Sequence, residues 1–185
     1  LTRIPPVDYQ SAPPSIRGAY DAAGRRFGRV TNMKATLLHS IPAYDALMTW
    51  YDLRDTVVPF LGERLADVFS HAISVGTDCL ICSTYFRKAL TDAGQDPDEL
   101  TLDEREQAVV EFGQCLARPF SRVPDELYTR LSALFSGEQL VALTAFGAMM
   151  VATNVVNNAL GIELDDYLLG YRKGGSDPSI PQGER

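Results

Sequence analysis

The residues best suited to chemistry in this chain are two cysteines three positions apart, in the run Asp78-Cys79-Leu80-Ile81-Cys82. On a helix, positions i and i+3 share a side and lie one turn apart, so the two thiols can close a disulfide within one chain. If the helix starts at the pair, its free amides and the positive end of its dipole stabilise a thiolate in the first turn. The thiol pKa then falls below its free value of about 8.5. Taken alone, the pair leaves three readings open: redox chemistry, half of a metal site, or packing thiols. Zinc is the weaker option, because a structural site wants four ligands and neither His39 nor His71 has a partner at finger-like spacing. No metal and no organic cofactor is expected.

A proton carrier near the pair would complete a redox site. His71 follows Asp67 by four residues and shares its helical face, so an Asp67-His71 couple would orient an imidazole for general-base work on a thiol. Against this, both residues sit opposite an apolar stripe of Leu61, Leu65, Val68 and Ala72, where an exposed histidine is ordinary. His39, near Ser40 and Pro42, reads as a loop residue, and Cys115 as a small core residue. Tyr44, Trp50, Tyr51 and Phe60 can wall a pocket or fill the core.

The elements that must position these groups read as helix after helix. Pro5, Pro6, Pro13 and Pro14 make the first fourteen residues an extended arm. From Ser15 to about residue 172 no sustained period-two alternation argues for a sheet, and about seven or eight helices are expected in a single domain. Pro42 opens one helix, and Pro59 is expected to open the next, which runs towards Gly76. Thr77 or Asp78 caps a helix that begins near Cys79 and stops at Gly94. Thr101 with Glu104, and Ser136 with Gln139, read as capping boxes for two later helices. The second of these carries an apolar run from Leu140 to Leu160, with Gly161 as its stop. Its Asn154, Asn157 and Asn158 need partners and read as satisfied structural amides. Residues 173 to 185, rich in Gly, Pro and Ser, read as a loose tail.

Composition narrows the partners. The net charge of −7 disfavours phosphate backbones and anionic lipid surfaces, so neither nucleic acid nor a membrane is expected. No run of roughly 18 or more consecutive apolar residues occurs, and the opening residues Leu1 to Pro6 lack the apolar core of a signal peptide. The expectation is a cytoplasmic protein.

The segment from Leu61 to Gly94, LGERLADVFSHAISVGTDCLICSTYFRKALTDAG, resembles the core of the alkylhydroperoxidase D-like proteins of the carboxymuconolactone decarboxylase superfamily. In that family an acidic residue lies twelve positions before the first cysteine of a Cys-x-x-Cys pair, which falls on Asp67. The resemblance extends over about Thr36 to Tyr171 and includes VVNNALGIELDDY at Val155 to Tyr167. It implies an all-α alkylhydroperoxidase D-like bundle and a trimer or hexamer. It also implies a thiol-dependent peroxidase or disulfide reductase in which Cys82 attacks, Cys79 resolves, and a dithiol donor restores the pair. One departure bears on mechanism. The family's relay histidine, four residues after the second cysteine, is Phe86 here, which carries no proton and walls the site instead. Two other readings therefore stand beside the redox one. One is a decarboxylase-like lyase acting on a small carboxylated lactone; the other is an oligomeric scaffold whose cysteines only pack.

Overall fold

The computed structural model describes residues 2–119 and 122–173. Eight α-helices are found among them: α1 (Pro14–Phe27), α2 (Asn32–Leu37), α3 (Ile41–Leu61), α4 (Glu63–Gly76), α5 (Leu80–Asp92), α6 (Glu104–Leu116), α7 (Asp125–Leu134) and α8 (Gly137–Leu160). A 3-10 helix, Asp166–Tyr171, follows them, and the described residues contain no strand. The all-α expectation holds. Residues 2 to 13 are free of helix, and the backbone and guanidinium of Arg3 donate to the carbonyls of Leu160 and Ala159 at the end of α8. The sequence reading of residues 174 to 185 lies outside the described residues.

Three element boundaries differ from the sequence reading, each for a local reason, and the third, at the head of α5, belongs to the cysteine site. Pro59 does not open a helix; it lies inside α3, which runs two residues further to Leu61. Proline removes one amide donor and crowds only the preceding turn, which α3 tolerates near its end. The break comes instead at Gly62, whose φ of 89° is open to glycine at little cost. The capping box at the head of α6 is formed by Asp103 and Glu106 rather than Thr101 and Glu104. Both pairs have the right spacing, and Asp at the cap accepts from the amide of Glu106 at 2.8 Å. The Ser136 and Gln139 box at the start of α8 forms as read.

α8 is the axis of the bundle, packing on α3, α4, α6 and α7, while α4 packs against α5 and α6. The main core gathers Phe69, Phe112, Phe146, Leu143 and Val109 with the site residues Cys79, Cys82 and Phe86. Close approach is enforced at Gly147, where an added Cβ would lie 2.5 Å from Leu116 and 2.9 Å from the Phe69 ring. A smaller cluster of Ala23, Leu37, Leu38, Tyr44 and Met48 ties α1 and α2 to α3. By length and composition α8 is apolar enough to cross a membrane. In the bundle one side of it is core, while Val141 (71% exposed) and Val155 (57%) stand on the outside.

Candidate active site

The cysteine pair sits at the corner between α4 and α5. Asp78 adopts a left-handed conformation, φ 51°, and the amide of Cys79 donates back to the carbonyl of Ser74 at 3.0 Å. That tight turn moves the cap one residue beyond the expected Thr77 or Asp78. Cys79 itself is the extended N-cap residue of α5, and Cys82 lies in the first turn. Both sulfurs are buried.

The corner is held from the side by three amides of α8. Asn154 donates to the hydroxyl of Thr77 at 2.7 Å and Asn158 to its carbonyl at 3.0 Å. Asn157 donates to the sulfur of Cys82 at 3.2 Å and reaches that of Cys79 at 3.7 Å. The reading of satisfied structural amides therefore needs correction at Asn157, whose donor serves the thiols. The carbonyl oxygens of Asn154 and Asn157 are buried with no hydrogen-bond partner among the described residues. A buried amide aimed at a sulfur favours the charged form.

The two thiols share a proton unequally. Cys79 is pulled down to about 7, first by the Cys82 thiol that donates to it, then by the nearby amides of Cys82 and Ile81 and by Asn157, against the cost of burial. Neither backbone amide makes a formal cap hydrogen bond, so they act at slightly longer range. Cys82 is pushed well above its ordinary value because it is the donor in that pair, is buried, and faces the charge on Cys79. The pair therefore favours its negative charge on Cys79, at the helix cap, and its proton on Cys82.

Cys82 lines a small pocket of about 80 Å³ that opens to solvent, together with Trp50, Tyr51, Phe86, Lys34 and Tyr167. Phe86 is 2% exposed and packs 6.1 Å from Trp50, so an aromatic ring stands beside Cys82. Of the aromatic cluster named from sequence, Trp50 and Tyr51 reach the pocket. Tyr44 belongs to the smaller core cluster, and Phe60 packs on Phe135.

The expected Asp67-His71 couple does not form. Asp67 is ion-paired with Arg54 at 3.3 Å, and burial raises its carboxyl pKa against that pairing. No hydrogen bond joins Asp67 to His71 among the described residues, and neither lines the pocket. His71 is lowered by burial and by the charge of Arg87, with Asp98 and Lys173 acting beyond it, which marks the outer side of α5 as its surroundings. Helical spacing put the two residues on one face, but Arg54 from α3 captures the carboxylate. His39 meets the carbonyl of Pro5 at 3.0 Å, and Cys115 lies in the core.

Much of the pocket lining escaped the sequence reading, and Lys34 is its charged member with a direct contact to Tyr51. Lys34 is 5% exposed, donates to the hydroxyl of Tyr51 at 2.9 Å, and lies over the Phe27 ring at 4.4 Å. Burial lowers it from 10.5 to about 8, only partly offset by Asp165. The signal available in the sequence was a lone lysine among Met33, Ala35, Thr36 and Leu37.

No family model matches the sequence, and no curated protein is similar to it. Solved structures are. The debrominase Bmp8 in its apo form superposes with a TM-score of 0.75 at 15% identity, over 92% of this chain and 96% of that one. A cysteine-to-alanine variant of Bmp8 in complex with 2,3,4-tribromopyrrole gives 0.76 at 15% identity over the same shares. An uncharacterized peroxidase-related protein from Ralstonia eutropha JMP134, described as an alkylhydroperoxidase AhpD core, gives 0.70 at 18% identity over 91% of this chain and 95% of that one. The chain shares the all-α fold of these structures, the alkylhydroperoxidase AhpD core among them.

Proposed function

We propose that this protein is a thiol-dependent oxidoreductase that reduces a small hydroperoxide or disulfide in the Cys82 pocket and oxidises Cys79 and Cys82 to a disulfide. The observation that carries this reading is the placement of the two sulfurs under one amide donor, Asn157, with Cys82 facing the pocket and Cys79 charged behind it. Cys79 then serves as the base that the absent histidine would have been. It takes the proton of Cys82, and the Cys82 thiolate attacks the distal peroxide oxygen. The O–O bond breaks and Cys82 becomes a sulfenic acid. The Cys79 thiol attacks that sulfur, water leaves, and a disulfide remains for a dithiol donor to reduce.

A second reading is favoured by the aromatic walls of the pocket, Trp50, Phe86, Tyr51 and Tyr167, which suit a flat ring better than a bare peroxide. It is reductive dehalogenation of a small halogenated heteroaromatic, by analogy with the debrominase Bmp8, which has been seen with 2,3,4-tribromopyrrole bound. Two thiols replace a ring halogen by hydrogen and yield the disulfide and hydrogen halide. Oligomerisation, as a trimer or hexamer, is part of the proposal and draws on the outer side of α8.

The test is single-turnover oxidation of the reduced protein with stoichiometric cumene hydroperoxide, or with a tribromopyrrole, followed by peptide mapping. A Cys79–Cys82 disulfide within one chain is expected. Two intact thiols at 79 and 82, or a bridge through Cys115, would leave only the lyase or scaffold readings.

A further inference from the structure

Cleavage of an O–O bond by Cys82 leaves an alkoxide, and in this pocket no histidine is placed to protonate it. Among the described pocket residues Tyr51 is the one joined to a buried cation. Its hydroxyl accepts a hydrogen bond from the Lys34 ammonium at 2.9 Å, which leaves its own proton free to be given away. Both residues line the pocket with Cys82, and the charge of Cys82 acts on Tyr51. Packing fixes the phenol: its ring lies 4.4 Å from Phe27 and 5.0 Å, edge-on, from Trp50.

We infer that Tyr51 is the proton donor to the leaving group of the Cys82 reaction and that Lys34 positions and reprotonates it. The inference rests on the thiol-redox reading above and concerns the same pocket. In the step, the Cys82 thiolate takes the distal oxygen as a sulfenic acid while the departing alkoxide takes the Tyr51 proton. Tyr51 recovers a proton from Lys34, which ends neutral, so charge is conserved as the ammonium and the thiolate both disappear. Burial keeps Tyr51 protonated at rest and holds Lys34 near 8, close to the value a donor needs at neutral pH. The other charged groups facing the pair are Asp165, which lines the pocket, and Arg26 and Arg54, which act on Tyr51. Asp165 does not quench the lysine: its Oδ1 accepts from the amide of Asn32 at 2.9 Å, and no ion pair joins it to Lys34.

A leaving-group comparison separates proton donation from packing. Reduced wild type, Tyr51→Phe, Lys34→Met and Cys82→Ser are oxidised in single turnovers by cumene hydroperoxide, whose alkoxide needs a proton, and by peroxybenzoic acid, whose carboxylate does not. Tyr51→Phe and Lys34→Met are expected to slow the first reaction by about 10²-fold and the second by less than about threefold. Tyr51→Phe keeps the ring, so the test survives if Lys34→Met does not fold. Equal slowing with both oxidants, or no slowing with either, would overturn the role assigned to Tyr51 while leaving the cysteine pair redox-active. A wild type no faster than Cys82→Ser with either oxidant would remove the redox reading itself, and this inference with it.

Discussion

The side-chain amide of Asn157 on α8 stands 3.2 Å from the sulfur of Cys82 on α5, seventy-five residues earlier in the chain. It lowers the pKa of both thiols, and it is the contact through which the bundle axis reaches the redox pair.

Replacing Asn157 by Ala should therefore raise the Cys79 pKa from about 7 by roughly one unit, since a hydrogen bond to a charged group is worth about 1.5 to 3 kcal/mol and one unit about 1.4. The pH dependence of alkylation at Cys79, read by mass spectrometry, measures it. An unchanged midpoint would mean that the amide only fills space.

Cys79 also ties stability to pH. A thiol held at about 7 in the fold and near 9 when unfolded stabilises the protein fully above pH 9, and that contribution disappears as pH falls through 7. Cys82, raised as the donor of the pair, works in the opposite sense only at higher pH, so the wild type is followed by urea titration up to about pH 9. Its stability should rise between about pH 7 and 9, which a flat profile would contradict.

Lys34 should be a costly residue for the fold. A lysine lowered from 10.5 to about 8 binds fewer protons folded than unfolded, so its destabilisation is full below pH 8 and fades towards 10.5. Lys34→Met at pH 7 is expected to raise unfolding stability by roughly 1 to 3 kcal/mol, the two and a half pH units less the lost Tyr51 and ring contacts. A lower urea midpoint in the variant would show that the lysine is structural.

His71→Gln should leave turnover within about twofold, because His71 does not reach the pocket, where a general base would be worth about 10²-fold or more. Phe86→His should instead place a titratable ring beside Cys82 and speed its oxidation, at a cost of about 1 to 3 kcal/mol in lost packing. A slow His71→Gln variant with an unimproved Phe86→His would reverse this assignment.

The outer side of α8 presents Val141 and Val155 to solvent in the single chain. Light scattering of the full chain at micromolar concentration should report a homo-oligomer, and Val141→Asp should dissociate it. A stable wild-type monomer would rule out the assembly.

The thiol pair, the helical class and the caps at Ser136 and Gly161 were legible from the sequence because each depends on neighbours within one or two turns. So was the Phe86 wall beside Cys82, since i+4 spacing on one helix sets it. Local spacing misled where two nearby candidates competed. Asp103 displaced Thr101 as the α6 cap, and the left-handed Asp78 passed the α5 cap to Cys79. Tertiary structure alone decided the rest. Asp67 and His71 share a helical face, yet Arg54 from another helix takes the carboxylate. Asn157 reads as one apolar-helix amide among three until α8 lies across the corner between α4 and α5. Lys34 and Tyr51, seventeen residues apart on different helices, become a proton-bearing pair only when α2 packs on α3 and buries the ammonium. Burial and cross-helix hydrogen bonds set the charge on each of these groups, and both arise from contacts between segments far apart in the chain.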